Sequence, residues 1–416
     1  MSEVFDVLIV GGGPAGLSAA EAAARYGARA LVLERQHEIG YPIHTSGGSW
    51  ISDMKALAVP EHLYYPIHNV FFLSPQRQVA LRYNPAVACV LDVRGVYQHL
   101  AERAVAAGAT VRVRHTVEQA LVEDGYVRGV VVKNHTGERI EMRAPVTIDA
   151  SGVARHIGVR ANMGKAFHRY GFGAEYDLFA PNYPQEELYL IVGNAFAPGG
   201  YAWVFPRGHG RVRLGVGVIQ PDRDVDARPY LDTIMQLPHL KEKLAGASPI
   251  EYHTGLFPSE GPLERFSADG LLLAGDAGGQ GSTLVGEGIR FAMYAGQLAG
   301  QVAAEAVSAG DTSAAFLSRF DKQWRARFER DMDIAYMVNK HIVFYSDARW
   351  DSVLDLMKRL SPSQVAQALR GNFTAGLVLG LIARSPLIAA AGGKRFLDLV
   401  LERANKSAAA RAQGQL

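Results

Sequence analysis

The residues best placed to do chemistry begin with a glycine run behind an apolar strand. Asp6-Val7-Leu8-Ile9-Val10 leads into Gly11-Gly12-Gly13-Pro14-Ala15-Gly16, and a second apolar strand ends on Glu34. This arrangement grips a dinucleotide. Gly11 permits the tight turn, Gly13 lets the backbone approach a pyrophosphate, and Gly16 lets the following helix lie against the strand. Pro14 and Ala15 open that helix, whose free N–H groups point at the phosphates. Glu34, with Arg35 beside it, stands near the spacing of about 20 residues at which an acid holds a ribose hydroxyl. Three further groups could act on a ligand. Tyr201, Trp203 and Phe205 alternate, so one strand face carries all three as an aromatic wall against which a long hydrocarbon could pack. His44, in a loop rich in glycine and proline, could deliver a proton at neutral pH. Leu271-Leu272-Leu273 runs through Ala274 into Gly275-Asp276, a buried strand ending in an acid, and Gly286-Glu287-Gly288-Ile289 follows at a helix start.

The elements that must position these groups show as periodicity. A helix is predicted from Pro14 to about Tyr26 and another over 95–107, where Val96, Leu100, Ala104 and Ala107 recur every three or four residues. Strands are predicted at 110–113, 116–122, 127–133, 139–143 and 146–149. Asp124-Gly125 and Thr136-Gly137 separate three of them into a small antiparallel meander. From about 164 to 254 the segments alternate and are rich in aromatics, as in a sheet that presents one face to a ligand. The strand at Leu271 and a helix over 288–309 return to the nucleotide domain, which is therefore discontinuous. Phe316, Phe320, Trp324 and Phe328 recur every four residues, a helical packing stripe. The expected architecture is α/β. It comprises a Rossmann-like nucleotide-binding domain (1–75, 90–163 and 260–312), a mixed or antiparallel substrate sheet (76–89 and 164–259) and a helical region (313–416).

Composition narrows the possibilities. In 416 residues, 43 Lys and Arg face 41 Asp and Glu for a net charge of +2, so nothing favours nucleic acid as a partner. Cys89 is the only cysteine, which excludes an internal disulfide framework and cysteine-held iron–sulfur or zinc within the chain. No metal is expected. The first residues lack the basic region and apolar length of a signal peptide, so a cytoplasmic location is expected. The apolar stretch from Phe373 to Ala383 is too short for the roughly 20 residues of a spanning helix. It reads as a buried helix, with a patch touching a membrane surface as the alternative.

Gly275-Asp276 with Gly286-Glu287-Gly288-Ile289 resembles the second signature of flavoprotein monooxygenases and of the geranylgeranyl reductase family, within the p-hydroxybenzoate hydroxylase superfamily. The resemblance implies FAD: Asp276 on the ribityl chain, and Gly286, Gly288 and Ile289 presenting backbone N–H groups beside the flavin pyrimidine. It also implies Arg94 near the FAD phosphates and Val117 in the strand that meets adenine. Asp149-Ala150-Ser151-Gly152 marks the same superfamily. Tyr201-Ala202-Trp203-Val204-Phe205-Pro206 looks like the Tyr-x-Trp-x-Phe-Pro motif of the geranylgeranyl reductases, which reduce isolated double bonds in prenyl chains. Flavin-dependent halogenases carry a related Trp-x-Trp-x-Ile-Pro segment, but the lysine they need is absent from Pro75-Gln76-Arg77-Gln78. Two departures stand out. Archaeal members of the family have a cysteine near the flavin where Thr45 aligns, and Thr283 replaces a usual proline. The implied function is saturation of C=C bonds in a prenyl or similarly apolar substrate by hydride from reduced flavin, with His44 or Thr45 at the catalytic centre and Tyr201, Trp203 and Phe205 against the substrate. The alternatives are a monooxygenase of the same fold and a flavin-holding or lipid-binding protein without turnover. NADPH or a ferredoxin-like protein is the implied electron donor, and peripheral membrane contact is compatible with such a substrate.

Overall fold

The computed structural model describes residues 4–374, 376 and 377. Apolar runs from the first 150 residues and from 267–273 pair side by side into a six-stranded sheet. Its order is Ser267–Ala268, Leu271–Leu273, Val146–Asp149, Val7–Val10, Ala30–Leu33, Thr110–Arg112. All neighbours are parallel except the first pair. Strands buried on both faces read as continuous apolar runs, which is why alternation is absent here. Register places Ile9 between Val32 and Ile148. Val7, Ile9 and Val32 pack against the helices Pro14–Arg25, Val93–Ala106 and Ile289–Ala309, and Leu8, Val10, Leu31 and Leu33 pack against the meander. That meander is the three-stranded antiparallel sheet Thr116–Glu123, Tyr126–Lys133, Arg139–Arg143. Two glycines bring the last helix onto the first. A Cβ on Gly296 would lie 2.1 Å from the Ala15 carbonyl oxygen, and one on Gly300 2.1 Å from that of Ala19.

A second sheet has seven strands in the order Ser248–Pro258, Tyr170–Phe179, Arg211–Gln220, Gly200–Gly208, Glu187–Val192, Asn69–Ser74, Arg77–Arg82. It is antiparallel except between Glu187–Val192 and Asn69–Ser74. Its even-numbered central residues Ala202, Val204, Leu214 and Val216 pack beneath the short helix Pro229–Met235. Trp203 and Phe205 lie on the opposite face with Val70, Phe72 and Leu188. The hairpin 69–82 belongs wholly to this sheet, so the expected boundary between 75 and 76 cuts through its turn. A turn between adjacent strands is no boundary, and the partner strand Glu187–Val192 lies too far along the chain for local periodicity to show it. Ala88–Leu91, expected in the substrate domain up to 89, pairs instead with Gly48–Trp50 and Tyr64–Ile67 in a separate antiparallel sheet.

The long helix Ala314–Ile342 begins at Ser313, whose hydroxyl accepts the Phe316 N–H. Its stripe packs as predicted, with Phe320, Trp324 and Phe328 buried and Phe266 edge-on to Trp324. The helices Asp347–Met357 and Pro362–Arg370 then fold back over the aromatic face of the seven-stranded sheet, where Leu354 and Val365 join its apolar cluster. Among the described residues, no helix is long and apolar enough to cross a membrane. Most of the stretch Phe373 to Ala383 lies outside the described residues.

Candidate active site

One continuous cavity of about 1420 Å³ runs from the glycine turn to the aromatic face of the second sheet. Its first half is lined by Gly11, Gly13, Pro14, Ala15, Glu34, Arg35, Val117, Asp276, Gly286, Gly288 and Ile289. Gly11 has φ +108°, and a Cβ there would stand 2.4 Å from the Ala150 carbonyl oxygen. Gly16 does not line the cavity; its missing side chain lets helix and turn touch, for a Cβ would lie 2.0 Å from the Gly11 carbonyl oxygen. Gly13 is the opposite case, with nothing within 4 Å of where its Cβ would be. The Glu34 carboxylate accepts the Gly12 N–H at 2.6 Å and the Gln36 N–H at 2.7 Å, which fixes it at the cavity edge.

The downstream half of this cradle carries unsatisfied polar groups. Burial pushes Asp276 up from 3.8 to about 6, and among the described residues its carboxylate has no protein hydrogen-bond partner. The hydroxyls of Ser282 and Thr283 line the cavity and are likewise buried without partners. Groups left so are costly unless a ligand satisfies them. The helix Ile289–Ala309 starts here on Gly288, placing its positive N-terminal end at the cavity. Glu287 is fully engaged: Ser49 Oγ at 3.2 Å, Trp50 Nε1 at 3.1 Å and Arg290 Nε at 2.8 Å all donate to it. Burial raises its pKa against the opposing pull of Arg290. The half-exposed guanidinium of Arg94 pairs with Glu38, which lines the cavity, so Arg94 stands behind the wall and not on it.

The second half is apolar. Tyr201, Trp203 and Phe205 stand in a row, with ring centroids 5.5 and 6.2 Å apart in turn. The Tyr201 hydroxyl donates to the Val285 carbonyl at 2.6 Å, tying the aromatic wall to the Gly286 turn. Leu190, Trp350, Leu354, Met357 and Phe373 complete this chamber from the sheet and the closing helices. His44 and Thr45 line the cavity from the loop before Gly47. The Nδ1 of His44 donates to the Thr254 carbonyl at 2.9 Å. Cys89 lines it as well, opposite Ser49 in register, and burial holds its thiol protonated.

Sequence reasoning missed Glu175 and His253, two buried titratable groups on the cavity wall. Trp203 Nε1 donates to Glu175 Oε2 at 2.6 Å, and His253 Nδ1 lies 3.2 Å from Glu175 Oε1. The signal that could have found them is charge inside alternation. Glu175 and Asp177 fall on the same face of one strand as Arg211 and Arg213 on the next, a pattern no solvated face requires.

A parallel dinucleotide sheet whose cradle opens onto a second, ligand-facing sheet defines an FAD-dependent oxidoreductase, and residues 6–171 match the family of FAD dependent oxidoreductases. Residues 172–256 match the geranylgeranyl reductase catalytic domain. Digeranylgeranylglycerophospholipid reductase 2 of Methanopyrus kandleri is 32% identical over 92% of this chain and 97% of its own length. The digeranylgeranylglycerophospholipid reductase of Methanosarcina acetivorans is 32% identical over 86% of this chain and 90% of its own. The crystal structure of a geranylgeranyl bacteriochlorophyll reductase-like protein from Thermoplasma acidophilum superposes with a TM-score of 0.84 at 26% identity, covering 96% of this chain and 100% of that one. The chain belongs to the geranylgeranyl reductase family of FAD-dependent enzymes. A myxobacterial chondrochloren halogenase shares the fold alone, with a TM-score of 0.65 at 19% identity over 92% of this chain and 97% of that one.

Proposed function

We propose that this enzyme saturates isolated C=C bonds in a prenyl chain, or a similarly apolar chain, borne by a lipid-like molecule. The observation that carries this reading is the apolar chamber walled by Tyr201, Trp203 and Phe205 and continuous with the dinucleotide cradle. Its relatives are named for reduction of digeranylgeranylglycerophospholipid.

FAD fits the cradle. Gly11, Gly13, Pro14 and Ala15 would take the pyrophosphate, Glu34 and Arg35 the adenosine ribose end, and Val117 the adenine. The unpartnered Asp276 would take the ribityl chain, and Gly286, Gly288 and Ile289 the pyrimidine edge. Reduced FAD supplies hydride. An isolated alkene offers no polar handle, so the protein's work is to align the chain, exclude water and deliver one proton. Tyr201, Trp203 and Phe205 align it, and the helices Asp347–Met357 and Pro362–Arg370 close the chamber. His44 and Thr45 stand on the cavity wall as groups able to hold a proton or an ordered water. The electrons come from NADPH or a ferredoxin-like protein, and the enzyme works in the cytoplasm with its substrate drawn from a membrane surface.

Anaerobic turnover tests the reading. Enzyme reduced with dithionite and mixed with a geranylgeranyl lipid should reoxidise its flavin as the lipid gains two hydrogens per bond. Product that forms only with dioxygen, carrying an added oxygen atom, would overturn it.

A further inference from the structure

Across the seven-stranded sheet, one line of register reads His253, Glu175, Gly215, Trp203, Leu190, Phe72. The line is polar at the edge strand and apolar at the far end. Gly215 lets the two parts meet. A Cβ there would stand 2.3 Å from the Trp203 ring, so only glycine allows the indole to lie across this strand and reach Glu175. The Glu175 carboxylate is nearly buried, with one oxygen on Trp203 Nε1 and the other facing His253 Nδ1. The second ring nitrogen of His253 lies 3.0 Å from Glu251, whose side chain is 48% exposed. A continuous chain of titratable groups therefore runs from solvent, through a buried imidazole, to a carboxyl on the cavity wall.

Resting on the reductase reading above, we propose that Glu251, His253 and Glu175 form the proton relay of alkene reduction, with Glu175 the acid that protonates the substrate carbon. Reduction adds a hydride from reduced flavin to one carbon and a proton to the other. The Nδ1 proton of the imidazolium passes to the Glu175 carboxylate and on to the substrate carbon as the new C–H bond forms; the imidazole, left neutral with its remaining proton on Nε2 beside Glu251, regains one from bulk water. Two electrons leave the flavin and enter the alkene, so the step balances. Among the described residues, the titratable and charged groups packed around the imidazole are Glu175 and Glu251 on the flanking and own strands, Arg213 on the strand beyond, with Asp177, Arg207 and Arg211 behind them, and His44 in the loop packed on Thr254. Burial opposes a charged imidazole here, and the hydrogen bonds to the two carboxylates outweigh it, raising the His253 pKa above the ordinary value. His253 therefore keeps its proton to higher pH than a free imidazole does.

The test uses the FAD-loaded enzyme, reduced anaerobically and mixed with a geranylgeranyl lipid, with flavin reoxidation followed by absorbance. Glu175→Gln keeps an acceptor for Trp203 but cannot accept and pass on a proton; it and His253→Gln should slow the alkene-driven step at least 100-fold, within the range of a lost general acid. FAD content should stay unchanged. The wild-type rate should fall as pH rises through the His253 pKa, and Glu251→Gln should move that fall to lower pH. Independently, NMR titration of labelled histidine in the oxidised enzyme should find His253 above the usual value, and lower in Glu175→Gln. Variants that turn over within threefold of wild type, or a His253 titration indifferent to Glu175, overturn the relay alone. A wild type that never responds to the alkene overturns the reductase reading, and the relay with it.

Discussion

Gly13 and Gly16 lie three residues apart in one turn, and the same substitution should do opposite things at each. In Gly16→Ala the new methyl would stand 2.0 Å from the Gly11 carbonyl oxygen, far inside the ~3.5 Å of ordinary non-bonded contact. Both partners are backbone, so neither side can swing away, and overpacking of this kind costs about 3 kcal/mol. Alanine returns about 1 kcal/mol of helix propensity. The net loss of about 2 kcal/mol should lower the apoprotein melting temperature by about 2 °C, since the shift per kcal/mol shrinks with chain length. In Gly13→Ala the methyl meets nothing within 4 Å and enters only the space offered to a pyrophosphate. The residue is the N-cap of the helix Pro14–Arg25, where alanine is poorer than glycine by up to about 1 kcal/mol, so the apoprotein should melt within about 1 °C of wild type. FAD affinity should fall at least tenfold, about 1.4 kcal/mol. Thermal unfolding of flavin-free protein and fluorescence titration with FAD measure both quantities. A Gly16→Ala protein that melts like wild type, or a Gly13→Ala protein that binds FAD like wild type, would refute the division of labour between the two glycines.

Three further perturbations follow from the same geometry. Because burial raises the Asp276 pKa from 3.8 to about 6, the folded apoprotein holds this proton more tightly than the unfolded chain does, so its stability should fall as pH rises through that window. Asp276→Asn should flatten this dependence in urea unfolding at successive pH values, and an unchanged slope would discount the acid's isolation. Arg370→Ala removes the 2.8 Å ion pair with Asp53 that ties the helix Pro362–Arg370 to the nucleotide domain. Arg370 is partly exposed and the buried Asp53 keeps Arg290 and the Tyr294 hydroxyl as partners, so the loss should cost about 1 kcal/mol, seen as faster proteolysis within 358–371 and little change in melting temperature. Leu190→Trp places a larger ring in the chamber wall, and should lower turnover of long prenyl lipids more than of short ones while FAD content stays constant.

The sequence was most legible where neighbours in space are neighbours in the chain. Val7 to Val10 with the glycine turn, and the meander strands with their Asp-Gly and Thr-Gly turns, announce themselves through local periodicity, and the structure places them accordingly. Asp276, Gly286 and Gly288 were recognisable because each helix or strand end carries its own short pattern. What stayed hidden depends on register between distant strands. The hairpin 69–82 joined the second sheet through the strand Glu187–Val192, a pairing that neither segment's own pattern specifies. Arg94 pairs with Glu38, a contact between two segments that neither one's own pattern specifies. The line from His253 to Phe72 crosses six strands drawn from 69–258, so its polar end is invisible to any window along the chain. Gly215 shows this most clearly. In sequence it is one glycine in an alternating strand, whereas in the sheet it is the gap through which Trp203 reaches Glu175, and filling that gap would separate the aromatic wall from its acid.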